Sequence, residues 1–136
     1  MKALFADTSF YVALWNPNDR MHAAASEFSR ASSVPVFVTE YVLVELGNFL
    51  SRSQSRARFP ALVRSLQRDP HTIIISASSR LLGAGLRPYE GRPDKEWSLT
   101  DCISFVVMLG HGLTEALTTD HHFEQAGFKA LLKQEE

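Results

Sequence analysis

The chain has 136 residues, of which 45% are hydrophobic and 21% charged, and its formal net charge is −1. That length fits one domain, residues 1–136, and the apolar share is enough to close a core and too high for a disordered chain. Near-neutral charge argues against a protein that coats nucleic acid non-specifically, the lone Cys102 excludes an internal disulfide, and no apolar run reaches the ~18 residues of a membrane span.

Taken in order, short apolar strands alternate with helical patterns. Residues 3–6 read as a first strand that meets the polar Asp7-Thr8-Ser9. The run is too short for the core of a signal peptide, so the expectation is a soluble, cytoplasmic protein with no membrane partner. Residues 9–14 suggest a short helix that stops near Asn16-Pro17-Asn18, and residues 23–31 a second one. Val36, Phe37 and Val38 make a β-branched and aromatic strand. The clearest helix covers residues 39–53, where Val42, Leu46, Phe49 and Leu50 recur at helical spacing as one apolar stripe. Glu45 sits on the margin of that stripe. Residues 59–68 form another helix, with Pro60 tolerated in its first turn, and residues 72–75 a third strand.

Residues 83–97 read as a loop, because Gly83, Gly85, Pro88, Gly91 and Pro93 fall close together. Ser98-Leu99-Thr100-Asp101 then matches a capping box. The helix that follows is apolar on nearly every face, holds Cys102 as a buried hydrophobe, and ends at Gly110-His111-Gly112. Residues 116–118 form a short strand followed by Asp120. Gly127 closes a last short helix, and residues 128–132 suggest an edge strand. Such alternation implies an α/β fold, a mainly parallel sheet with helices on both faces.

Charge is unevenly placed. Residues 52–95 hold nine lysines or arginines, Arg52, Arg56 and Arg58 among them, against three acids, a net of +6; the rest holds five against twelve, a net of −7. The basic segment is either a solvated face or a surface for phosphate or an acidic partner.

In parallel sheets the binding crevice lies beyond the carboxyl ends of the strands. Asp7 and Asp120 each follow a strand, Asp101 opens the buried helix, and Glu45 edges the stripe of another. Each could serve a duller purpose, since Asp7, Asp101 and Asp120 all stand where helix caps are favoured. Together, four carboxylates in one crevice would repel one another and call for a cation. Oxygen-only ligation selects Mg²⁺, with Mn²⁺ able to substitute, and a metal-activated water suits a phosphodiester substrate.

Residues 4–10, 39–45, 97–102 and 117–123, which contain Asp7, Glu45, Asp101 and Asp120, together resemble the PIN-domain family. Within it the chain is similar to the VapC-like toxin ribonucleases of type II toxin–antitoxin pairs, in order over nearly its whole length. The resemblance implies a three-layer α/β/α sandwich and a Mg²⁺- or Mn²⁺-dependent endoribonuclease. Its metal would be bound principally by Asp7 and Asp101, with Glu45 and Asp120 completing the quartet. Thr8, Ser98 and Thr118 match hydroxyl positions that orient the acids or their waters. The implied partners are RNA, a cognate antitoxin and a second copy in a homodimer. Asp94 and Glu96 lie near the third segment without an assigned role.

Other readings are weaker. Asp120-His121-His122 matches the triplet of DHH phosphoesterases, but the chain lacks their further motifs, and both histidines are read as the start of a solvated helical turn. Asp7-Thr8-Ser9 lacks the second acid of a haloacid-dehalogenase-type phosphatase. A receiver-like regulatory domain would place adjacent acids after the first strand, and a PIN-like module that only binds RNA or protein would be favoured by loss of a quartet acid. Trp97 either stacks on a base or packs beneath the glycine- and proline-rich segment.

Overall fold

A computed structural model describes residues 2–52 and 54–133. Twelve elements alternate along them. β1 (Leu4–Ala6), α1 (Thr8–Trp15) and α2 (His22–Ala31) come first, then β2 (Val36–Thr39), α3 (Glu40–Phe49) and α4 (Arg58–Arg68). β3 (Thr72–Ile75), α5 (Ser79–Gly91) and α6 (Leu99–Gly110) follow, and β4 (Glu115–Leu117), α7 (His121–Gln125) and β5 (Lys129–Ala130) complete the order.

The five strands form one sheet in the order β3-β2-β1-β4-β5, and every pairing is parallel. Phe5 is in register with Phe37 on one side and with Ala116 on the other. All three residues of β1 are buried, so both faces of the central strand are covered. On one face the Phe5 ring meets Phe123 of α7, which meets Phe105 of α6 edge-on at 5.0 Å. The result is an α/β architecture with a parallel sheet between helical layers.

Chain direction reverses across the sheet between β1 and β4. The chain moves outward from β1 through β2 to β3, then crosses back to β4 on the opposite side. The carboxyl ends of β1 and β4 therefore flank a topological switch point, where the connections diverge and leave a crevice. Glycines at positive φ end the two helices that lead out of this region. Gly112 (φ 67°) lets the Leu113 amide reach the Met108 carbonyl, and Gly127 (φ 96°) does the same for Phe128 and Phe123.

Two sequence expectations change. Much of the segment 83–97 is helix, not loop: α5 starts at a Ser78 cap, whose side chain accepts from the Leu81 amide, and runs through Gly83, Gly85 and Pro88. Gly85 is there for proximity. A Cβ on it would lie 2.4 Å from Ile103 Cγ1, so α5 and α6 approach as closely as they do because this position has no side chain. Pro88 removes one amide near the end of the helix, which stops three residues later at Gly91. The second change concerns α3. Val42, Leu46 and Leu50 are buried as the stripe requires, but Phe49 is 55% exposed. The chain leaves the helical path at Leu50, which enters the core in its place. The expected end of that helix, Ser53, lies outside the described residues.

Candidate metal centre

Asp7 follows β1 at the N-cap position of α1, yet its side chain makes no capping bond. Its Oδ2 instead accepts from Thr118 Oγ1 at 2.9 Å and Ser9 Oγ at 3.2 Å. The residue is only 5% exposed. A surface cap would need none of this, so the capping explanation fails for Asp7.

Thr118 directly follows β4 at zero exposure and does two jobs with one hydroxyl. It donates to Asp7 and accepts the Asp120 amide at 3.0 Å. Ser9 bridges the same region, accepting from the Thr119 amide at 3.0 Å. A small hydroxyl lattice thus ties the end of β1 to the end of β4.

Asp101 closes the capping box of α6: its amide donates to Ser98 Oγ, and its Oδ2 accepts from the Ser98 amide. The capping explanation holds here, but the side chain also reaches further. His122 Nδ1 lies 3.0 Å from the same Oδ2. Asp120 likewise caps α7, accepting from the His122 amide at 2.9 Å, while its Oδ2 lies 3.4 Å from His122 Nδ1. Glu45, half-buried on α3, accepts from Thr8 Oγ1 at 2.5 Å. Its partner is therefore a hydroxyl from the start of α1, 37 residues away in the chain.

These side chains share one pocket of about 590 Å³, walled by Asp7, Thr8, Glu45, Ser98, Asp101 and Asp120, with Asp19, Glu96 and the two histidines beside them. Thr118 sits behind the wall and acts through Asp7. Among the described residues, no lysine or arginine lines it. The consequence shows in proton affinity. Burial, and next the charge of Asp101, push the Asp7 carboxyl up to about 7, against the pull of the Thr118 hydrogen bond. Burial and then the charge of Asp120 raise Asp101, with the His122 contact opposing.

A buried carboxylate among like charges, with two histidines but no lysine or arginine among the described residues of the wall, is a site short of permanent positive charge. Oxygen donors dominate it, which fits a hard divalent cation. Asp7, Asp101, Asp120 and Glu45 are the residues that could hold one.

Arg52, Arg56 and Arg58 do not line this pocket. Arg56 belongs to a separate groove of about 570 Å³ between α3 and α4, walled by Leu43, Val44, Gly47, Phe59 and Val63. Its guanidinium donates to the Ser51 carbonyl at 2.8 Å, and that of Arg58 lies 5.8 Å over the Trp15 ring. Arg52 is exposed. Asp94 is paired with Arg92 on the surface. Trp97 is packed, not presented: it is 9% exposed, meets Phe105 edge-on, and donates to Gln125 Oε1.

Sequence reasoning missed Ser9 and His122. His121 is solvated as expected, its side chain 65% exposed, but that of His122 is only 19% exposed and faces two acids. The available signal was its neighbour: Phe123 had to turn into the core, which commits the adjoining turn of α7 to the crevice end of the sheet.

Comparison with known proteins agrees with this geometry. The PIN-domain family model matches residues 4–129. The chain is 26% identical over 125 residues to the 23S rRNA-specific endonuclease VapC20 of Mycobacterium tuberculosis, which spans 92% of this chain and 95% of that protein. Its fold is similar to the crystal structure of the same M. tuberculosis protein, described as a sarcin-ricin loop cleaving toxin, with a TM-score of 0.85, 25% identity, and 96% and 99% of the two chains covered. VapBC2 from Rickettsia felis, solved with a promoter DNA fragment, shares the fold at TM-score 0.65 and 13% identity, covering 94% and 96%. FitAcB from Neisseria gonorrhoeae does so at 0.64 and 16%, covering 93% and 94%. With a parallel sheet in this order, four acids around one pocket at its switch point and a family match over nearly all its length, the chain belongs to the PIN-domain family.

Proposed function

We propose that this protein is a divalent-metal-dependent endoribonuclease, using Mg²⁺ with Mn²⁺ able to substitute, and the toxin of a type II toxin–antitoxin pair. The observation that carries this reading is the buried Asp7 carboxylate, set among acids in a pocket that no described lysine or arginine lines. Similarity to a 23S rRNA-specific endonuclease makes RNA, and ribosomal RNA first, the substrate to test.

The protein's own part is to hold carboxylates ready. Thr118 and Ser9 fix Asp7, the Ser98 box fixes Asp101, and Thr8 pins Glu45. Each acid is locked by a neighbour whose own position is set by a strand end or helix start, which keeps reorganisation small. A divalent cation bound there supplies an acidified water and offsets charge on the scissile phosphoryl group. Glu45, half-buried on the pocket wall, can take the proton that the water gives up. No side chain needs to act as nucleophile.

The groove between α3 and α4 suits an antitoxin segment: it is apolar, it carries Arg56 at its rim, and exposed Val44 lies along it. Homodimerisation and a cytoplasmic setting belong to the same reading. Among the described residues no helix is long and apolar enough to cross a membrane.

End-group analysis tests the reaction. Cleavage of RNA with Mg²⁺ should leave 5′-phosphate and 3′-hydroxyl ends and stop in excess EDTA. Cyclic 2′,3′-phosphate products, or full activity in EDTA, would rule it out.

A further inference from the structure

The four-carboxylate site contains a nitrogen. His122 Nδ1 is 3.0 Å from Asp101 Oδ2 and 3.4 Å from Asp120 Oδ2, and the ring is largely shielded from solvent. Beside it, the His121 ring lies at 4.6 Å with its Nδ1 3.7 Å from Asp120 Oδ1. Ligand atoms of Asp120, His121 and His122 all fall within 4.8 Å of one another.

Those spacings suit a shared ion. Bonds of about 2.0–2.2 Å to one cation put neighbouring ligand atoms roughly 3.0–3.5 Å apart. A hydrogen bond explains less, because the single proton on Nδ1 can serve one of the two carboxylates well and must leave the other poorly matched. An ion at that point satisfies the nitrogen and both oxygens together.

We infer that His122 is a metal ligand: its Nδ1 joins Asp101 and Asp120 around the divalent cation, and the site therefore binds a first-row transition-metal cation such as Mn²⁺ more tightly than Mg²⁺. Mg²⁺ prefers oxygen and gives up its waters reluctantly, whereas imidazole suits transition metals. This rests on the proposed metal-dependent reading of the pocket and adds to it the identity of one ligand and the order of metal preference. Half-buried placement on the first turn of α7 makes His122 available without disturbing Phe123, whose ring anchors that turn in the core.

The test needs no substrate. Mn²⁺ is titrated into the metal-free protein, and pulsed paramagnetic resonance is recorded for wild type and His122→Ala. The wild-type signal should show coupling to a directly bound histidine nitrogen, altered when histidine is labelled with ¹⁵N. The variant should lose the coupling and bind Mn²⁺ about tenfold or more weakly, since loss of a residue that merely supports a metal ligand already costs about 10–100-fold. Its Mg²⁺ affinity should change much less. Bound Mn²⁺ without nitrogen coupling in wild type overturns the inference and leaves the carboxylate reading standing. Coupling that persists in His122→Ala overturns the assignment to His122. Absence of any Mn²⁺ or Mg²⁺ binding overturns both. The wild-type spectrum decides the main point even if the variant does not fold.

Discussion

Thr118 Oγ1 donates to Asp7 Oδ2 across 2.9 Å, joining the end of β4 to the end of β1 with both residues buried. The same hydroxyl accepts the Asp120 amide, so one side chain sets the position of two acids.

Thr118→Val tests that arrangement, because valine keeps the shape and removes the hydroxyl. Asp7 keeps only its Ser9 donor and the Asp120 amide loses its acceptor, at a cost of about 1–3 kcal/mol for the amide left unpaired. Denaturant melts in EDTA should show the loss. Cation binding should weaken as well, since Asp7 would be held less firmly and would keep its proton more tightly.

Metal-free stability should depend on pH in an unusual direction. The Asp7 carboxyl sits at about 7 in the folded protein against 3.8 when unexposed to these influences. The folded state therefore binds the proton more tightly than the unfolded state. That contribution is complete below about pH 4 and is lost as pH rises through about 7. Melts in EDTA should fall over this window, and Asp7→Asn should flatten the fall. A profile unchanged by Asp7→Asn would show that Asp7 does not carry it.

Asp101→Asn should abolish RNA cleavage while leaving the metal-free protein at least as stable as wild type. Asparagine can still accept the Ser98 amide, and it removes a charge that raises Asp7. Mg²⁺ should raise the melting temperature of wild type, because a ligand of the folded state stabilises it by mass action. The variant should show little of that rise. An undiminished Mg²⁺ shift would remove Asp101 from the site and leave it a helix cap.

Two glycines of α5 should respond oppositely to alanine. At Gly85 the new Cβ would meet Ile103 Cγ1 at 2.4 Å and the Ile103 backbone at 3.3 Å, so α5 or α6 must shift. Overpacking of this kind costs about 1–3 kcal/mol. At Gly83 nothing lies within 4 Å. There alanine should stabilise by roughly 0.5–1 kcal/mol, the ordinary helix preference. Paired thermal melts separate the two.

These glycines also show where sequence reading stops. The order of strands and helices was legible because short β-branched runs and amphipathic stretches alternate; that alternation placed Asp7 and Asp120 at the crevice end, and the family resemblance added Asp101 and Glu45. Gly83, Gly85 and Pro88 carry local breaker signals that tertiary packing overrides, since α5 lies against the strongly apolar α6. Phe49 obeys helical spacing but falls where the chain turns away at Leu50. His122 and Ser9 were hidden for another reason. Their partners, Asp101 and Thr118, are 21 and 109 residues distant in the chain, and no local pattern reports such a contact.

The strand order has a consequence for how the protein comes into being. β4 lies between β1 and β5, and a residue 111 positions from Asp7 supplies its hydroxyl partner. Contacts this remote in sequence form late and only after much of the chain is available. During synthesis from the amino terminus, β1, β2 and β3 can pair while the acidic pocket still lacks Asp101, Thr118 and Asp120. The segment that ends near Asp120 closes the crevice as it docks beside β1. Assembly of the site is thus coupled to the emergence of the segment around Asp120, and a chain that stops before it carries the acids of its first half without the geometry that gathers them into one pocket.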